Sequence, residues 1–121
     1  MTINWEKYEL VLVEDSDKEC EVTGNNLGSA KTFICPVSDL EVGQSPNWIP
    51  QGNYSSYGGY QSIRITFQKL DNEGAHFELY LGYKNEIVLT PFEPKNKWES
   101  GSYEFGSYRY FVTLTLKEKE K

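Results

Sequence analysis

The chain has one histidine, one methionine and two cysteines among 121 residues, and each scarcity closes off a class of chemistry. A lone histidine, His76, together with no Cys-x-x-Cys spacing around Cys20 and Cys35, cannot supply the four nitrogen and sulfur ligands of a structural zinc site. No glycine-rich phosphate cradle follows a strand and opens a helix, which sets aside nucleotide enzymes of that type. Basic residues are in deficit: Lys and Arg number 12 against 18 Asp and Glu, giving a net charge of -6 and a pI near 4.8. A body of that sign repels phosphate backbones, so no nucleic-acid partner is expected. Near the start the longest apolar run is Leu10 to Val13, far below the length of a membrane span or of a signal peptide's apolar segment. The expected compartment is therefore the cytoplasm, with secretion as the alternative if an export signal was removed or a non-classical route is used. Finally, no window repeats apolar residues at three and four, so no helix of ordinary length is expected.

What is abundant is aromatic. Nine Tyr, six Phe and three Trp make up 15% of the chain, beside 38% hydrophobic and 25% charged residues. Bulky rings pack well across pleated strands and lose side-chain freedom on helices. At this length one core is the expectation, with residues 1–121 forming a single domain.

The strand pattern follows. Tyr8 to Val13 is apolar on both faces, as in a strand covered on both sides or a partly shielded edge, and the polar run from Glu14 to Lys18 ends it. Glu19 to Thr23 and Lys31 to Cys35 read as a hairpin about Gly24-Asn25-Asn26-Leu27-Gly28. A symmetric loop there sets Cys20 opposite Cys35, either as reduced thiols in contact or as a disulfide. Leu40 to Val42 is a short candidate. From Ser62 to Thr90, Ile63, Ile65 and Phe67, then Phe77, Leu79 and Leu81, then Ile87 and Leu89 alternate with polar residues. Folding about Leu70–Gly74 and Tyr83–Asn85 pairs Phe67 with Phe77, Ile65 with Leu79, Ile63 with Leu81, Leu81 with Ile87 and Leu79 with Leu89. This is a three-stranded meander whose register a slip of one would ruin. Ser107 to Lys117 is long for a strand and is expected to bend or cross between sheets. About seven such strands predict an all-β antiparallel sandwich, with a small barrel as the alternative.

Two segments echo each other. Asn47 to Tyr60, leading into Gln61 to Lys69, reads like Lys97 to Tyr108, leading into Arg109 to Lys117: Trp, spacer, Gly-x-Tyr, an aromatic with glycine, Tyr, then a strand ending in Lys. A true repeat would place them at equivalent corners of two half-sandwiches. Gly52-Asn53-Tyr54 followed by Gln61-Ser62-Ile63-Arg64-Ile65 also resembles the second half of a βγ-crystallin Greek-key motif, over about fifteen residues of the 121. The Asn/Asp pair that helps bind calcium in that family is replaced here by Gly58, Gly59 and Tyr60. Asn96 to Thr115 is similar to the aegerolysin sandwiches but lacks their glycine and cysteine motifs. Neither resemblance assigns a family.

Candidate chemistry is thin. His76 shares a strand face with Glu78, but no serine or cysteine is placed by sequence to complete a nucleophilic set. Asp15, Asp17 and Glu19 offer oxygen ligands of the kind calcium takes, without the spacing of a standard calcium loop. Carboxylate pairs for glycoside hydrolysis can be drawn from Glu73, Glu78, Glu86 and Glu93, as from any acidic β-protein. No catalytic residue, cofactor or metal site is therefore predicted. The predicted site is a polar-aromatic surface of Trp48, Asn53, Tyr54, Tyr57, Tyr60, Gln61, Trp98 and Tyr103. A flat ring stacks on a pyranose face while amides and hydroxyls hold its oxygens, so a non-catalytic, lectin-like carbohydrate-binding domain is the first expectation. The same residues suit a protein partner, the alternative, and leave membrane-active behaviour and homo-oligomerisation open.

Overall fold

A computed structural model describes residues 3–17, 31–51, 64–81, 83–105 and 108–119. The strands are β1 (Tyr8–Asp17), β2 (Lys31–Pro36), β3 (Ile49–Gln51), β4 (Arg64–Asp71), β5 (Gly74–Tyr80), β6 (Lys84–Leu89), β7 (Lys97–Phe105) and β8 (Tyr108–Glu118). They form two antiparallel sheets, one in the order β3-β2-β1-β8-β7 and the other β4-β5-β6. Seven strands of six residues or more, plus the three-residue β3, make a sandwich of two separate sheets and not a closed barrel. Helix among the described residues is limited to two single 3-10 turns, Trp5–Lys7 and Val37–Asp39, and none is long and apolar enough to cross a membrane.

Alternation explains which residues meet. On β1 and β8 the even-numbered residues Leu10, Leu12, Val112, Leu114 and Leu116 are fully buried or nearly so, and on β2 it is Phe33 and Cys35. From the second sheet Ile65, Phe67, Ala75, Phe77, Leu79 and Leu89 meet them in one continuous core. Phe67 and Phe77 are directly opposed, as the alternation requires, with ring centroids 5.6 Å apart, and Ile65 faces Leu79.

The β4–β5 hairpin closes through a two-residue turn, Asn72-Glu73, with Asp71 opposite Gly74, so β4 extends past the expected start of the turn at Leu70. A bulge between Phe67 and Lys69 absorbs the odd residue, which lets the tight turn coexist with the Phe67–Phe77 pairing. Gly74 is required there. Its φ is +143°, and a Cβ would stand 2.3 Å from the carbonyl oxygen of Leu89 on β6. The free side of β4 is covered by Gly43 to Ser45: Gly43 N–H donates to Phe67 O at 2.8 Å, Phe67 N–H to Gln44 O at 3.0 Å, and the Ser45 hydroxyl to Ile65 O at 3.0 Å. Gly43 makes this approach at φ +83°, again a glycine conformation.

Several expectations need correction. Phe77 pairs with Ile87 and Ala75 with Leu89, because the second turn falls at Leu81–Tyr83 and not at Tyr83–Asn85. The slip is an even number of residues, so every apolar side chain keeps its face and the core membership survives. β2 pairs with β1 and β3, and the residue opposite Cys35 is Leu10; residues 19–23, its expected hairpin partner, lie outside the described residues. Cys35 is a buried free thiol, while Cys20 lies outside the described residues. β1 does not stop at Glu14 but runs on to Asp17, held by β8 along its whole length. It is the central strand of five. β8 stays within one sheet and does not cross to the other. Its irregularity lies in its partner, where the register shifts between Glu99 and Ser102 and the hydroxyl of Ser100 accepts the Val112 N–H at 2.9 Å. Leu40 to Val42 is not a strand. The two echoing segments are not equivalent either: β7 and β8 form a hairpin in one sheet, whereas β3 and β4 belong to different sheets.

Two substitutions test this packing. Leu79→Ala removes a fully buried side chain and should lower stability by about 2–5 kcal/mol in urea unfolding; an unchanged midpoint would refute the core assignment. Gly74→Ala should cost more than about 1–3 kcal/mol, because an unfavourable backbone region adds to the clash with Leu89.

Candidate functional site

Three regions bear side chains capable of binding chemistry. The first is the outer face of the three-stranded sheet at the β4–β5 turn. The tight turn brings Asp71, Glu73 and His76 together, with one ligand atom from each within 4.8 Å of the others. The sequence reading grouped His76 with Glu78. The hairpin gives it Asp71 instead, at 2.8 Å from Nε2 to Oδ1, with Glu73 Oε1 at 3.9 Å, while Glu78 pairs with Lys84 at 3.1 Å. Glu78, first by its hydrogen bond and then by its charge, holds the Lys84 ammonium above its ordinary range.

Asp71 Oδ1 also accepts the N–H groups of Glu73 at 2.9 Å and Gly74 at 3.3 Å, and Oδ2 lies 3.5 Å from Lys69 Nζ. The bond from His76 is the largest influence on this carboxyl and holds it below the usual carboxylate range. Partial burial pushes the other way, and the Glu73 N–H, the charge of His76 and the Gly74 N–H add to the lowering. These three residues could offer a cation one nitrogen and two carboxylate oxygens, but Asp71 already serves the turn. The arrangement is therefore that of a hairpin lock. Beside it a cleft of about 570 Å³ is lined by Glu73, Val88, Thr90, Pro94, Lys95 and Lys97.

The second region is the predicted polar-aromatic surface. Trp48 stands just before β3 and Trp98 is on β7, the two opposite edges of the five-stranded sheet. Four strand spacings, roughly 19 Å, separate those edges. Both tryptophans are partly buried and pack against the core, so the structure does not bring them into one site. Asn53, Tyr54, Tyr57, Tyr60 and Gln61 lie outside the described residues, and Tyr103 is placed in β7 opposite Tyr110 with its side chain outside them. Asp15 and Asp17, the calcium candidates, have their backbone in β1 opposite Phe111 and Arg109 rather than in a loop, and Glu19 lies outside the described residues.

The third region was not foreseen. On the outer face of the five-stranded sheet a pocket of about 280 Å³ is lined by Glu9, Val11, Thr32, Ile34, Gln51 and Lys117. The pairings put Glu9 opposite Lys117, Val11 opposite Ile34, and Thr32 opposite Gln51. Val11 and Glu9 are each only 8% exposed, although they face away from the core. The signal in the sequence was a carboxylate one residue inside the apolar strand Tyr8–Val13, on the face of Val11 and Val13. Cys35 belongs to the opposite, inner face; burial first, and Asp39 to a smaller degree, push its thiol up, against a lowering hydrogen bond from the Asn47 backbone. No family model matches the sequence, and no curated protein or solved structure shows significant similarity to it.

The Asp71 lock predicts an acid limb in stability. A carboxyl whose folded-state pKa is depressed stabilises the fold above its unfolded value of about 3.9, and that contribution disappears as pH falls through the lower, folded value. Urea midpoints measured over a descending pH series should therefore fall in this acid range, and Asp71→Asn should flatten the fall. Parallel curves for parent and variant would refute the lock.

Proposed function

We propose that the protein is a non-catalytic binding domain for carbohydrate, with its ligand surface on the β3 side of the five-stranded sheet. The observation that carries this reading is the composition of the outer-face pocket. Val11 and Ile34 offer an apolar floor, and Glu9, Thr32, Gln51 and Lys117 surround it with hydrogen-bonding groups. A sugar ring needs that combination, since its C–H face is apolar and its rim is hydroxyl. Its volume of about 280 Å³ is near the lower end of small-molecule sites, which begin at about 300 Å³, and suits one ring.

A non-catalytic role is favoured because no nucleophile partners His76 among the described residues. Its Nε2 is bound to Asp71, and the Cys35 thiol is buried on the inner face of the other sheet. Trp48 packs against the core, so we assign it to holding the edge in place, and its replacement would disturb stability along with any binding.

A glycan array followed by calorimetric titration of neutral sugars tests the reading. Binding is expected, and Thr32→Val should weaken it about tenfold while leaving the unfolding midpoint in place. A blank array with no heat at millimolar sugar overturns it in favour of a protein partner.

A further inference from the structure

We propose that Asp71, Glu73 and His76, at the β4–β5 turn, form a binding site for a divalent ion of the zinc class. The inference is independent of the carbohydrate reading and concerns the other sheet. One ligand atom from each of the three lies within 4.8 Å of the others, and no other set of three His, Cys, Asp or Glu among the described residues comes together in this way. The fold fixes their positions. His76 stands on β5 between Lys69 of β4 and Val88 of β6, with its side chain 14% exposed. The Asn72-Glu73 turn brings both carboxylates to its Nε2, Asp71 Oδ1 at 2.8 Å and Glu73 Oε1 at 3.9 Å. The hairpin lock needs only two of the three. Glu73 serves the turn by its N–H, while its carboxylate, on a side chain 77% exposed, stands beyond hydrogen-bond length from the imidazole.

In a tetrahedral shell with metal–ligand bonds of about 2.0–2.2 Å, ligand atoms stand about 3.3–3.5 Å apart. The separation of Nε2 from Oδ1 falls short of that, and its separation from Oε1 exceeds it, by about half an ångström each, which small rotations of the two carboxylates make up. Against the ionised Asp71, Nε2 carries the proton of the 2.8 Å bond. Coordination takes the lone pair of Nε2, so that proton passes to Nδ1 or to solvent. The ion takes its place on Oδ1, which keeps the N–H groups of Glu73 and Gly74. Lys69, 3.5 Å from Oδ2 and 62% exposed, swings aside into water. One imidazole and two carboxylates suit zinc better than calcium or magnesium, which take oxygen ligands. Three protein ligands leave a position for water or for an oxygen of a molecule in the neighbouring cleft, which Glu73 also lines.

The test adds zinc chloride to the full chain, free of any affinity tag, and follows the imidazole by NMR alongside calorimetry. His76 is the one histidine of the chain, so its ring signals report on this site and no other. One equivalent of zinc should move them to a new position, with a dissociation constant below about 100 μM, and the same concentration of calcium or magnesium should not. Glu73→Gln keeps the turn amide; it should leave the unfolding midpoint without zinc in place and weaken zinc binding at least about tenfold. Ring signals unmoved by zinc, zinc affinity unchanged in Glu73→Gln, or an equal response to calcium overturns the proposal, whichever way the glycan array comes out. Zinc taken up by the cysteines alone leaves the ring signals unmoved and counts against it.

Discussion

The contact between the inner faces of the two sheets is the constraint on which every other feature depends. A three-stranded sheet of six- to eight-residue strands needs an apolar face that is packed, and the outer face of β4-β5-β6 carries charged and polar side chains such as Arg64, Glu78, Lys84 and His76. Its stability therefore comes from pressing Ile65, Phe67, Phe77, Leu79 and Leu89 onto Leu10, Leu12, Leu114 and Leu116. Because side chains alternate, this contact fixes the identity of the opposite faces as well. Once Leu10 and Leu12 point inward, Glu9 and Val11 must point outward, and the pocket they line follows from the core.

The same constraint decides which local irregularities are tolerated. The bulge after Phe67 and the one between Glu99 and Ser102 each insert a residue without moving the core positions to the wrong face. At the first, the consequence is chemical. The compact Asn72-Glu73 turn drops Asp71, Glu73 and His76 into one cluster, which the flat register of the sequence would have kept apart.

How much was legible follows from period and chemistry. Phe67 opposite Phe77 and Ile65 opposite Leu79 could be read because both strands alternate cleanly on either side of one turn. The register of β6 could not, since Ile87 meets an apolar partner at Phe77 as readily as at Leu81, and only the position of the turn chooses between them. The pairing of β1 with β2 and β8 is long-range and leaves no periodic trace, so the Lys31–Cys35 segment was matched with its nearest neighbour in sequence. The site was less legible still. Trp48 and Trp98 looked alike in sequence because their flanking residues match, but their edges are set by strand order, which composition does not encode. Glu9 sat inside a strand that otherwise read as apolar, and nothing local says that a carboxylate there will be buried.

That burial is what separates Glu9 from the rest of the charge on this protein. The ion pairs Lys7–Glu118, Lys97–Glu99 and Lys84–Glu78 have exposed or half-exposed partners, where such pairs contribute little. Each is the ordinary solution for a solvated sheet face. Glu9 combines the opposite properties: it is buried, central in its sheet and unpaired among the described residues. For the fold alone, threonine or valine would serve a β1 outer position better, being β-branched and uncharged. Glu9 thus lines a pocket with polar neighbours on three other strands, and the outer face of β1 is the place where this sheet departs from the solvated pattern of the rest of the surface.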